Sequence, residues 1–138
     1  MMGEATLKTS CKGQAVIALS SGEAEYYGLT SAVSDALGEQ AFLQDWGVHM
    51  PIVLHADATA GASIASRRGL GRVKHISTCF LWVQEVIAKK RITIKKVPGE
   101  DNPADLMTKA VDQKTLARHM SAMGYTFPDG VDTKALRA

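Results

Sequence analysis

The sequence predicts an α/β fold, a mixed sheet flanked by helices, and three observations carry that expectation. Short apolar runs of strand character alternate with stretches of helical periodicity, the order found in layered α/β domains. A turn near Lys12-Gly13 joins residues 5–9 to the apolar run 14–19 as an opening hairpin, which makes the sheet mixed. An acid stands at each junction of strand-like and helix-like runs: Glu25, Asp57 and Asp105. Open α/β sheets gather their sites at such strand ends and helix starts.

Each element has its own local signal. Residues 14–19 read as a short buried strand. Ser20 fits a helix N-cap, and Glu23 follows three residues later in capping-box spacing. The helix that follows places Leu29, Val33, Ala36, Leu37, Leu43 and Trp46 largely on one face, with Gly47 as its stop and Gly38 as a weak point. Pro51 leads into a second strand, 52–56, that ends at Asp57. A short helix is predicted over 59–66, then a loop containing Arg67, Arg68 and Arg72. A third helix over roughly 75–90 carries Ile76, Phe80, Val83 and Ile87 and ends in Lys89-Lys90-Arg91, cations that suit the negative end of the helix dipole. Ile92 and Ile94 alternate as in a strand, which Pro98-Gly99 terminates. Asn102 and Pro103 supply an N-cap and first-turn proline for a last helix running to about Met123, with Leu116, Met120 and Met123 on its apolar side. Residues 1–124 form one domain in this reading, and 125–138 a loose tail.

With 138 residues the chain suits one compact domain, and 46% hydrophobic against 22% charged residues is a globular balance. No apolar run approaches the roughly 18 residues of a membrane span, and no leader pattern opens the chain. Cys11 and Cys79 lack the spacing of a disulfide framework or a CxxC site. An intracellular location, cytoplasmic or nuclear, is expected. The formal net charge of +2 conceals an asymmetry. Residues 1–66 balance at −5, residues 67–96 at +8 and residues 97–138 at −1. A basic stretch beside acids suits a polyanionic substrate held next to metal. The plain alternative is a solvated helix face with cations at its C-terminal end.

Each acid also has two readings. Glu23 and Glu25 are separated by about 200° around a helix, so they do not share a face. Glu23 has a capping task, which leaves Glu25 for a site or for plain exposure in the first turns. Asp57 ends an apolar run, where it serves either a site or a turn, since a buried unpaired aspartate is costly. Asp105 stands at the third position after Asn102, where, taken in isolation, compensating the dipole explains it better than a site does. Together the three offer the oxygen donors that Mg²⁺ prefers. Two such ions can activate water and stabilise a leaving oxygen in phosphodiester hydrolysis. The histidines, at 49, 55, 75 and 119, have no zinc spacing.

Four segments carry a family resemblance. IALSSGEAEYYGL (residues 17–29) resembles the "ALSSxEAEY" segment of the ribonuclease H domain of copia-type (LTR) retrotransposon Pol polyproteins. LHADATAGASIA (54–65) is similar to that family's strand ending in aspartate before a small-residue helix. VKHISTCFLWVQE (73–85) looks like its "KHI" helix, and VPGEDNPADLMTK (97–109) is similar to its closing "AD…TK" segment. The match spans roughly residues 5–124, with the segments in order and at matching spacing.

The resemblance implies a ribonuclease H-like mixed sheet flanked by helices and a metal-dependent hydrolase acting on the RNA of RNA–DNA hybrids in reverse transcription. It implies catalytic and metal-binding roles for Glu25, Asp57 and Asp105, with two Mg²⁺ ions in an intact site. The basic loop and the pair that follows it, Arg67, Arg68, Arg72, Lys74 and His75, would contact the hybrid's backbone. Upstream reverse transcriptase and integrase segments of a parent polyprotein are the implied protein partners, and no membrane is involved. The family's first strand, which is central and carries a fourth carboxylate, has no counterpart here, since Glu4 is the only acid before Glu23. The expectation is therefore an N-terminally truncated domain with hydrolysis reduced on the order of a thousandfold or more. A non-catalytic nucleic-acid-binding module and an inert remnant are the alternatives.

Overall fold

The computed structural model describes residues 1–2, 6–14, 17–57, 59–66 and 80–125. Helix α1 spans Ser21–Asp45, strand β1 Ile52–Ala56, helix α2 Thr59–Ser66, helix α3 Trp82–Ala88, strand β2 Ile92–Lys96 and helix α4 Gln113–Ala122. Short 3-10 turns cover Gly99–Asp101 and Pro103–Met107. The class is α/β. The chain divides into two compact units, Gly13–Asn102 and Met1–Lys12 with Pro103–Ala138.

The larger unit holds α1, β1, α2, α3 and β2. Its two strands run parallel, with Ile52 opposite Ile92, Leu54 opposite Ile94 and Ala56 opposite Lys96. Alternation sends Ile52, Leu54, Ile92 and Ile94 toward the helices, while Val53, His55, Thr93 and Lys95 are exposed on the other face. The core combines Tyr26, Tyr27, Leu29 and Val33 of α1 with Ile64 and Ala65 of α2, Val83 and Val86 of α3, and Ile92 of β2. Full burial of one such aliphatic side chain stabilises by about 1.5–3 kcal/mol. Polar groups in this core are paired. The Tyr26 hydroxyl donates to the Phe80 carbonyl at 2.7 Å, and Gln84 Nε2 donates to the Ile64 carbonyl at 2.9 Å. Tyr27 and Phe80 also pack ring against ring, with centroids 4.5 Å apart.

Three helices end alike. After α1 the amides of Gly47 and Val48 donate to the carbonyls of Gln44 and Leu43. After α3 those of Lys90 and Arg91 donate to Ile87 and Val86, and after α4 those of Gly124 and Tyr125 donate to Ser121 and Met120. Each is a Schellman closure, which needs a left-handed residue just past the helix. Glycine fills that place twice, with φ +77° at Gly47 and +78° at Gly124, whereas Lys90 takes it with φ +56°. On α3, Lys89 also bonds to Glu85 at 2.7 Å, and that hydrogen bond holds the Glu85 carboxyl below its usual range.

Several expectations are corrected. The helix stop at Gly47, strand 52–56 and helix 59–66 stand as read, and α1 continues unbroken through Gly38. Residues 14–19 are not a strand where described, and Ile17 is 89% exposed. The Leu19 amide, which a sheet would use for its ladder, donates instead to Glu23 at 2.9 Å. The sheet among the described residues has two parallel strands and no antiparallel member, so the hairpin expected over 5–9 and 14–19 is not formed by residues 6–9, 14 and 17–19. Trp46, assigned to the apolar face of α1, is 75% exposed because it lies past the last turn, as the C-cap. The last helix is two pieces. A 3-10 turn at Pro103–Met107 stops, and α4 begins afresh where the Asp112 side chain accepts the Thr115 amide at 2.7 Å. Residues 75–79 of the third helix and 126–138 of the tail lie outside the described residues, as do residues 15–16 of the first strand.

In the smaller unit, α4 buries His119, while its Leu116 and Met120 and the C-cap Met123 are half-buried. The Thr6 hydroxyl donates to the Met123 carbonyl at 2.8 Å.

Lys90→Gly removes a left-handed lysine and should raise stability by about 1 kcal/mol, while Gly47→Ala should lower it by a similar amount. Urea unfolding midpoints measure both, and shifts of the same sign would refute the assignment. Asp112 accepts the Thr115 amide, which holds its carboxyl below the usual carboxylate range. Its contribution is therefore complete above the ordinary aspartate value and is lost as pH falls through the depressed one. Amide-exchange protection of Thr115 should fall over that acid window in the native chain and show no such step in Asp112→Asn.

Candidate functional site at the strand ends

Glu25 stands on the second turn of α1, half-buried, beside two core tyrosines. The start of that helix is fixed by its neighbour. Ser20 Oγ accepts the Glu23 amide at 3.2 Å, and the Glu23 carboxylate reaches back to the Leu19 amide. The reach goes one residue further back than the usual capping box. Glu23 also accepts the Tyr27 hydroxyl, and at 1% exposure it is the most deeply buried charged side chain described. Glu23 thus takes the structural task and orients the turn that presents Glu25.

Asp57 follows the last residue of β1 and is exposed. It shares an open cavity of about 590 Å³ with Lys96, Val97, Pro98 and Gly99. The parallel ladder continues to this rim, where the Val97 amide donates to the Ala56 carbonyl at 3.0 Å. The chain then turns through Gly99–Asp101, closed by bonds from the Asp101 amide to Pro98 and from the Asn102 amide to Gly99. Gly99 borders the carboxylate: a Cβ there would lie 3.9 Å from Asp57 Oδ2, an ordinary contact distance.

Asp105 belongs to the other unit, on the 3-10 turn Pro103–Met107. Its Oδ2 accepts from Lys109 Nζ at 2.9 Å, and its side chain is 19% exposed. Lys109 was not singled out by the sequence reading, although the spacing of four residues is the usual signal for such a pair. Lys96 and Gly99 were also missed. Lys96 becomes legible only once the register sets it across from Ala56.

Among the described residues, no group of three or more His, Cys, Asp or Glu side chains is placed to hold a metal ion. The donor chemistry of Asp57 nevertheless fits Mg²⁺, which takes one or two carboxylates along with waters and phosphate oxygens. The five basic-loop candidates, Arg67, Arg68, Arg72, Lys74 and His75, lie outside the described residues. No described helix is long and apolar enough to cross a membrane.

No protein-family model matches the chain, and no solved structure matches it. The chain is similar to the retrovirus-related Pol polyprotein from transposon TNT 1-94 of Nicotiana tabacum, with 30% identity over 102 residues. The match supports a retrotransposon Pol origin. It covers 72% of this chain but only 8% of the relative, so the chain spans a small part of that polyprotein's length.

Glu23 offers a test of how the site is positioned. Glu23→Ala strands the buried Tyr27 hydroxyl and the Leu19 amide and should cost about 1–3 kcal/mol. Tyr27→Phe should cost less, because the carboxylate keeps its backbone partner. Equal costs in thermal unfolding would mean that the carboxylate does not organise the helix start.

Proposed function

We infer that this chain is a ribonuclease H-like segment of a retrotransposon Pol polyprotein, serving hydrolysis of RNA in RNA–DNA hybrids. The observation that carries the reading is the place of Asp57. It is an exposed carboxylate at the C-terminal rim of a parallel strand pair, facing an open cavity, inside one of four motif segments in family order. The similarity to a Pol polyprotein gives the reading its context, with other segments of a parent polyprotein as partners. Reverse transcriptase and integrase segments are the proposed ones, in an intracellular setting.

In this proposal Glu25, Asp57 and Asp105 keep the roles the family resemblance gives them, each offering a carboxylate to Mg²⁺. Bound there, the metal would supply an activated water and a stabilised leaving oxygen. The chain's own residues do the rest. Glu23 fixes the turn that carries Glu25, Gly99 leaves the Asp57 face open, and Lys109 holds Asp105 until a cation competes for it. Arg67, Arg68, Arg72, Lys74 and His75 supply positive charge for the hybrid's phosphates. The 2′-hydroxyls and A-like shape of the hybrid distinguish it from duplex DNA.

A second reading, a nucleic-acid-binding module without hydrolysis, draws on the absence of a three-donor group among the described residues. One experiment separates the two. An end-labelled RNA strand in a hybrid is incubated with the chain in Mg²⁺ or in EDTA, beside the Asp57→Asn variant. The expected result is hybrid binding that weakens steeply with salt and a slow, Mg²⁺-dependent cleavage that drops on the order of a hundredfold or more in Asp57→Asn. Binding indifferent to Mg²⁺ with no cleavage selects the binding module. Failure to bind the hybrid at all overturns both.

A further inference from the structure

The cavity beside Asp57 has a second charged wall. Lys96 closes β2 directly across from Ala56, the residue before Asp57, and its side chain is exposed. Unlike Lys89 and Lys109, which are held by Glu85 and Asp105, Lys96 makes no ion pair among the described residues, and neither does Asp57. Two opposite charges therefore line one open space without neutralising each other. The rest of the lining is Val97, Pro98 and Gly99, and Gly99 sets no side chain against the carboxylate. An uncommitted carboxylate calls for a cation, and an uncommitted ammonium calls for an anion. A phosphodiester accompanied by a divalent cation meets both demands at once.

The geometry points to Lys96 as a phosphate-holding residue of the Asp57 cavity, gripping an anionic oxygen of the nucleic-acid backbone while Asp57 faces the cation that accompanies it. This assignment rests on the nucleic-acid reading above and adds a contact outside the basic loop. Strand alternation supplies its internal control. Lys95 carries the same charge one residue earlier, but it projects from the opposite, exposed face of the sheet.

The test is fluorescence anisotropy of a labelled RNA–DNA hybrid, titrated with the full chain over a salt series in Mg²⁺. Lys96→Gln should weaken binding on the order of threefold to tenfold and lower the slope of log affinity against log salt by about one. Lys96→Arg should keep the native slope, and Lys95→Gln should change affinity clearly less than Lys96→Gln does. The loss from Lys96→Gln should also shrink in an Asp57→Asn background, because the two side chains act on one bound group. All of these positions are exposed, and coincident thermal unfolding curves confirm that the variants fold. If hybrid binding persists but Lys96→Gln matches Lys95→Gln, or leaves the slope unchanged, the Lys96 assignment is overturned and the parent reading stands. If the native chain binds no hybrid, both fall together.

Discussion

The parallel pairing of β1 with β2 is the constraint on which the larger unit depends. Parallel strands cannot be joined by a tight turn, so the chain between them must travel back along the sheet. Here that passage includes α2 and α3, and Ile52, Leu54, Ile92 and Ile94 pack into the core that α1, α2 and α3 share. The same geometry sends both strands out at one rim. Asp57 and Lys96 therefore line the same cavity although they are 39 positions apart in the chain. An antiparallel pair would have put them at opposite ends of the ladder.

Helix α1 depends on a different kind of constraint. A carboxylate buried to the extent of Glu23 is tolerable only when hydrogen-bonded, and it has both a backbone amide and a phenolic hydroxyl as donors. Tyr26 and Tyr27 then carry polar groups into the core without leaving them orphaned, one hydroxyl on the Phe80 carbonyl and the other on Glu23. Burial and hydrogen bonding are thus satisfied by the same side chains, and the position of Glu25 on the helix follows from them. The acid with the signature of a simple cap is a structural anchor of the helix start.

The two units also divide the candidate carboxylates. Glu25 and Asp57 lie in the segment Gly13–Asn102, and Asp105 lies just beyond it, after the prolyl start of its 3-10 turn. Similarity to a small part of a Pol polyprotein supports a Pol origin for the chain. In the smaller unit the Asp105 carboxylate pairs with Lys109 at 2.9 Å.

The start of α1 and its stop are set by neighbouring residues, and the sequence alone determined them. Ser20 with Glu23, Gly47 and the alternation over 52–56 act over four or five positions, so their signals survive without knowledge of the fold. The same local chemistry at Asp112 was present but overlooked, and it divides the last helical stretch. Tertiary structure decided what depends on a distant partner. The apolar run 14–19 has strand composition, yet a strand exists only where another backbone accepts its hydrogen bonds, and the Leu19 amide found Glu23 instead. The register that brings Lys96 beside Asp57 is likewise a property of two segments packed against shared helices, which no window of sequence contains.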